Sequence, residues 1–132
     1  MYKRQPQGPV YDLFVADYLD AFNQQPDSFA ALTYDATWLA IYGVGWAEYQ
    51  REGQLTGLDL AYGLQKVSNT KGVAVKVSRT GWPIVQQEFR EGRGVDITGV
   101  SGDLQYDPVT EECTAPFSYW KINDAGTDFE DL

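Results

Sequence analysis

The chain has 132 residues, with 10 Lys and Arg against 19 Asp and Glu, a formal net charge of −9 and a sequence pI of about 4.3. This length suits one globular unit that buries roughly two-thirds of its unfolded surface, and 43% hydrophobic with 14% aromatic residues is the composition of a packed protein, not of an acidic disordered tail. The acidic balance opposes nucleic acid and anionic membrane surfaces as partners, while the absence of histidine and the single cysteine, Cys113, exclude His-based triads, CxxC redox pairs, Cys/His zinc sites and an internal disulfide.

No run approaches the ~18 consecutive apolar residues that would span a bilayer. Met1 to Pro9 has two basic residues and no apolar segment behind them, so it does not read as a signal peptide. Residues 1–5, MYKRQ, resemble the translated tail of a sequencing adapter, and residues 1–9 are therefore expected to form a leader outside the domain.

Beyond the breakers Pro6, Gly8 and Pro9, apolar residues recur every fourth position at Val10, Phe14, Tyr18 and Phe22, with Leu13 and Leu19 widening the stripe. This spacing predicts an amphipathic helix of about four turns, ended before Pro26 by the restriction on the residue preceding proline. Asp27 or Ser28 is placed to cap a second helix carrying Phe29, Leu32, Ala36, Leu39, Ala40 and Trp46, in which Gly43 and Gly45 point to close packing against another element. Thr56 and Asp59 have capping-box spacing ahead of a third helix, with Leu58, Ala61, Leu64 and Val67 as its expected apolar face. The period then changes: Val73 to Val77 is a short strand with β-branched residues at its odd positions. Thr80-Gly81-Trp82-Pro83 opens a fourth helix with Ile84, Val85 and Phe89, closed by Gly92 and Gly94. From Val95 the chain reads as extended, through Val95 and Ile97, Leu104 and Tyr106, a turn at Asp107-Pro108, and Phe117 to Ile122. Residues 124–132 form an acidic tail, expected to be mostly solvated.

Helices come first, then a strand, a helix and short strands. This is an α/β order that starts partway through, because no strands precede the first two helices to cover their aromatic stripes. The chain is accordingly expected to be part of a longer polypeptide.

Little in the chain points to catalysis. Asp35, between Tyr34 and Trp38, and Asp103 with Asp107 are the candidate carboxylates for acid–base work, but no spacing sets the separation of roughly 5 to 10 Å that glycoside hydrolysis needs. Neither residues 103–112 nor the acidic tail has the ligand spacing of an EF-hand loop. Gly92-Arg93-Gly94 and Gly99 to Gly102 lack the pattern of a phosphate-binding loop, so no cofactor or metal is expected. The aromatics remain. Phe29, Tyr34, Trp38, Tyr42 and Trp46 follow at intervals of four or five residues, and such a row is usually core; Phe29, in the first turn, is the one placed to face a cleft beside free helix N–H groups.

The run FVADYLDAFNQQPDSFAALTYDATWLA resembles a segment of the type I periplasmic solute-binding proteins, the branched-chain amino-acid (leucine-binding-like) receptors of ABC transporters. In that segment a helix ending in an aromatic, here Phe14 to Phe22, leads through a Pro-containing loop at Pro26 to a helix bearing Tyr34-Asp35-Ala36. GLDLAYGLQKVS resembles the helix that follows, and Ser101-Gly102, Leu104, Tyr106-Asp107 and Trp120-Lys121-Ile122 match the family's ending; together the likeness spans residues 10–123. Glu111-Glu112 departs from the family's usual turn, and the strand and helix of residues 73–90 occur in only part of it.

The resemblance implies part of one lobe of a two-lobed α/β receptor, periplasmic or extracellular and lipid-anchored through a region outside this chain. It would close on an amino acid, amide or similar solute and pass it to a membrane permease, with no chemistry of its own. It also implies that Phe29 lines the ligand cleft. A sensor or receptor domain of the same fold is the alternative, and a small carboxylate-dependent enzyme stands further off.

Overall fold

Four helices and four strands are formed by the residues that the computed structural model describes, namely 8–27, 29–52, 55–105, 107, 109–110, 120–127 and 129–131. In order they are α1 (Pro9–Phe22), α2 (Ala30–Gln50), α3 (Gly57–Leu64), β1 (Val73–Lys76), α4 (Trp82–Arg90), β2 (Val95–Thr98), β3 (Trp120–Ile122) and β4 (Phe129–Asp131). The result is a small mixed helix–strand domain whose central part has α/β character. Cys113, Tyr106, Pro108 and residues 117–119 lie outside the described residues.

Helix α1 begins on Pro9, whose ring pre-sets a helical φ, and Asp12 in its first turn complements the helix dipole. It stops at Asn23, which adopts a left-handed conformation (φ 51°) and returns its N–H to the Leu19 carbonyl at 2.8 Å. Asp27 starts α2: one carboxylate oxygen accepts the N–H groups of Phe29 (2.9 Å) and Ala30 (2.8 Å). The capping box of α3 forms as its spacing predicts, with the Thr56 hydroxyl and the Asp59 carboxylate each serving the other's backbone N–H. Asp59 also receives Arg51 Nε at 2.8 Å, which ties the start of α3 to the end of α2.

The faces these helices bury differ in part from the expected ones. On α2 the buried positions are Ala31, Asp35, Tyr42, Gly43, Gly45, Trp46 and Ala47, while Leu32, Ala36 and Ala40 are exposed. On α3, Leu58 and Ala61 face solvent, and Asp59 and Gly63 are buried. The reason is a close helix crossing: a Cβ placed on Gly63 would stand 2.7 Å from Gly43 Cα and 2.8 Å from its carbonyl oxygen. The bare backbones therefore set the rotation of α3, and Leu58 is turned outward.

Strands β1 and β2 pair in parallel, Val73 with Val95 through Lys76 with Thr98, connected by α4 in a β–α–β unit. On the other side of β2, Val95 and Ile97 donate to the carbonyls of Lys66 (2.7 Å) and Val67 (3.0 Å). Val75, Val77, Val95 and Ile97 point to the core, where they pack with Val67, Tyr42, Trp46, Val85, Phe89 and Leu104, while Val73 at the start of β1 is exposed. Even-numbered positions point away: Ala74, Lys76 and Thr98 are exposed. A second, smaller cluster joins Phe14 of α1 to Ala31 of α2 and Val100 beyond β2.

Within the segment expected to be a solvated tail, residues 129–131 instead form β4, antiparallel to β3. The turn between them is built by Asn123, whose side-chain oxygen accepts the Thr127 N–H at 3.0 Å, and by Gly126 at φ 70°.

Candidate functional site

A groove of about 1330 Å³ opens between α1, the first half of α2, and β1 with the turn that follows it. Its floor is aromatic: the Phe14 ring lies 5.1 Å from that of Tyr34, which lies 6.4 Å from that of Trp38. Leu13, Phe22, Ile41 and Ile84 add apolar surface that is open to solvent. Among the described residues, the charged groups lining it are Asp17 and Asp27 on the helical side and Lys76 and Arg79 on the strand side. Neither Lys76 nor Arg79 has an ion-pair partner among the described residues.

Phe29 lies on this groove with its side chain 72% exposed, at the residue immediately before α2. Its surroundings differ from the expected ones. The N–H groups of Phe29 and Ala30, expected to be free for an anion, are already bonded to the Asp27 carboxylate, which also places negative charge there. Phe29 thus offers an aromatic face and not an anion cradle. Nor does it share the face of the other α2 aromatics: Tyr34, Trp38 and Tyr42 form a continuous run, with Trp38 and Tyr42 rings 5.6 Å apart, and Phe29 stands outside it.

Of the candidate carboxylates, Asp35 is 2% exposed and fully engaged. Its Oδ1 accepts the Val100 N–H at 2.9 Å, and its Oδ2 accepts the N–H (2.7 Å) and hydroxyl (2.6 Å) of Ser101. A carboxylate bonded to three donors and shut off from solvent clamps the loop beyond β2; it has no site open to a substrate proton. Gly99 belongs to the same clamp, since a Cβ there would meet both the Asp35 carboxylate and, at 2.8 Å, Leu104 Cγ. Asp103 and Asp107 are exposed turn residues: Asp103 accepts the Gln105 N–H at 3.2 Å, and Asp107 accepts those of Val109 (2.7 Å) and Thr110 (3.2 Å). Each of the three carboxylates is engaged by backbone donors. Among the described residues no group of three or more Asp, Glu or Cys side chains could hold a metal ion.

The strand side of the groove was not singled out by sequence reasoning. Here the turn Ser78 to Gly81 leaves β1 and enters α4, with the Ser78 hydroxyl accepting the Gly81 N–H at 3.0 Å. The signal was present in the β-branched run followed by Thr80-Gly81-Trp82-Pro83, a strand-to-helix passage of the kind that places ligands at the carboxyl ends of α/β strands. The loop after β2 and the start of α2 lie at this same end, joined by the Asp35 clamp.

Comparison with protein-family models, with curated proteins and with solved structures finds no match to this chain.

Proposed function

We propose that this chain is part of a lobe of an extracytoplasmic solute-binding receptor that captures an amino acid, amide or related small molecule by lobe closure and delivers it to an ABC-type permease. The observation that carries the reading is Phe29, a solvent-facing aromatic ring before α2 on a groove that reaches the carboxyl end of β1. The resemblance of residues 10–123 to type I periplasmic solute-binding proteins supports it, because Phe29 stands where that family lines its cleft with an aromatic. The engagement of Asp35 in loop architecture also favours binding over acid–base chemistry. In this reading the apolar part of a solute packs on Phe29, and the clamp holds the loop beyond β2 at a fixed position beside it.

The test is a titration of the chain with a panel of amino acids and amides, followed by tryptophan fluorescence, since Trp38 lines the groove. A saturable change with one solute class is expected, weakened about tenfold by Phe29→Ala, equivalent to about 1.4 kcal/mol of lost contact. No saturable response to any member of the panel, or equal affinity of the Phe29→Ala variant, would remove the reading.

A further inference from the structure

The charges of the groove are sorted by sign onto its two walls. Lys76 and Arg79 stand on the strand wall without an ion-pair partner among the described residues, in a chain whose Asp and Glu outnumber Lys and Arg 19 to 10. Asp17 and Asp27 on the helical wall are likewise unpaired among the described residues, and none of the four forms an ion pair with another. Asp27 uses one oxygen to accept the N–H groups of Phe29 and Ala30, which leaves its second oxygen for another donor.

An apolar floor separates the two walls. Asp17 follows Phe14 by three residues on α1, so the two side chains are neighbours on one helix face. From Phe14 a row of rings leads to Tyr34 (5.1 Å between centroids), on to Trp38 (6.4 Å), and then to Trp82 (6.5 Å), the first residue of α4. Arg79 lies three residues before Trp82, in the turn between β1 and α4. The acidic and the basic wall thus stand at opposite ends of a run of four aromatic rings. An α-amino acid carries its ammonium and carboxylate on one carbon and meets a single wall; a neutral amide meets neither charge. The arrangement is matched by a ligand with opposite charges at its two ends and apolar atoms between them.

We propose that the solute is a zwitterion whose ammonium and carboxylate are held apart by an apolar segment, either an ω-amino acid or a short apolar peptide. Its carboxylate is received by Lys76 and Arg79, its ammonium by Asp17 and Asp27, and its apolar middle lies over the aromatic floor. This rests on the receptor reading above and narrows its solute class. Arg79 can offer a carboxylate two parallel N–H groups, whereas Lys76 acts as a point charge beside it.

Isothermal titration calorimetry of the full chain at low ionic strength, where attraction between charges is least screened, tests this. The probes are ω-aminooctanoate and trileucine as the two sources of such a zwitterion, with octanoate, octylamine and leucine as controls. At least one of the two zwitterions is expected to bind about fivefold or more tighter than every control. Arg79→Gln is expected to weaken that zwitterion and octanoate by a similar factor and leave octylamine unchanged, and Asp17→Asn is expected to weaken the zwitterion and octylamine and leave octanoate unchanged. Both side chains are exposed, and the unchanged control of each variant reports an intact groove. Leucine binding as tightly as both zwitterions would overturn the proposal, as would a match by octanoate or octylamine, or zwitterion affinity indifferent to both substitutions. Leucine binding weakened by Phe29→Ala would in that event keep the receptor reading in place. Zwitterion binding that responds to Arg79→Gln and Asp17→Asn but not to Phe29→Ala would do the reverse, upholding the charge placement and removing Phe29 from the site.

Discussion

The Asp35 carboxylate of α2 accepts the backbone N–H of Val100 at 2.9 Å across 65 positions of sequence, and with its second oxygen takes both donors of Ser101. This buried clamp fastens the loop beyond β2 to α2, which begins just after Phe29. Charge-assisted hydrogen bonds contribute about 1.5–3 kcal/mol each, and removing the acceptor strands buried donors. Asp35→Ala is therefore expected to cost about 3 kcal/mol or more in urea unfolding, and Asp35→Asn somewhat less, because the amide keeps one acceptor while turning an NH₂ toward a donor. A loss below 1 kcal/mol for Asp35→Ala would show that the loop holds its position without the clamp.

The crossing of α2 and α3 gives a paired comparison. An added methyl at Gly63 meets backbone atoms of Gly43 at 2.7 and 2.8 Å, and backbone cannot move aside as a side-chain tip can. At Gly43 the nearest atom is the Leu60 carbonyl oxygen at 3.1 Å, a squeeze of tenths of an ångström. Replacing glycine by alanine within a helix gains up to about 1 kcal/mol of propensity. Gly63→Ala is expected to destabilise by about 1–3 kcal/mol net of that gain, and Gly43→Ala to lie near zero. Chemical denaturation of the two variants in parallel checks the order.

How far the sequence disclosed this arrangement depended on whether a feature was local. The four-residue recurrence from Val10 to Phe22 locates α1, the Thr56 and Asp59 pair locates the start of α3, and the odd-position branching of Val73 to Val77 locates β1. Each of these signals lies within a few residues of what it determines. The buried face of α2 departs from its apolar pattern because it is chosen by partners far along the chain: Asp35 is drawn inward by Val100 and Ser101, which moves Leu32 and Ala36 to the surface. Leu58 is exposed for a similar reason, since α3 is rotated by the bare backbones at Gly43 and Gly63 and not by its own apolar stripe. Strand β4 is three residues long in an acidic stretch and has too few positions to show a period. As for the site, Phe29, expected in the first turn of α2, stands just before that helix on the groove, whereas Lys76 and Arg79 come to the groove only through the β–α–β passage.

Two carboxylates make stability depend on pH in the acid range. The Thr56 hydroxyl and then Arg51 hold Asp59 below its ordinary value of 3.8, and the Arg93 guanidinium holds Glu88 below 4.5, bonding it at 2.6 and 2.9 Å. A carboxyl group depressed in the folded state favours folding fully above its unfolded pKa, and that contribution is lost as the pH falls through the folded value. The melting temperature is thus expected to be flat on this account from neutral pH down to the ordinary carboxyl range and to decline below it. Thermal melts of Glu88→Gln should start lower at neutral pH and show a shallower acid decline. Parallel curves for the variant and the parent would mean that the Arg93 pair carries none of this dependence.

Tyr42 supplies the opposite case, a polar group whose removal should help. Its ring is fully buried against Trp82, 5.9 Å away, and Trp38, and its hydroxyl has no hydrogen-bond partner among the described residues. Burial, followed by the nearby Tyr34 and Asp35, pushes its pKa well above the ordinary 10.0. An unpartnered buried hydroxyl costs its desolvation with nothing in return, so Tyr42→Phe, which keeps the ring and its stacking, is expected to stabilise the fold by about 1 kcal/mol. The alkaline behaviour gives a second readout. A group whose pKa is raised by folding leaves stability intact below its unfolded value and diminishes it as the pH climbs above that value, so the parent should lose stability above about pH 10 more steeply than the Phe variant. A destabilised Tyr42→Phe with an unchanged alkaline limb would show that the hydroxyl is satisfied, with a buried water as the natural donor or acceptor.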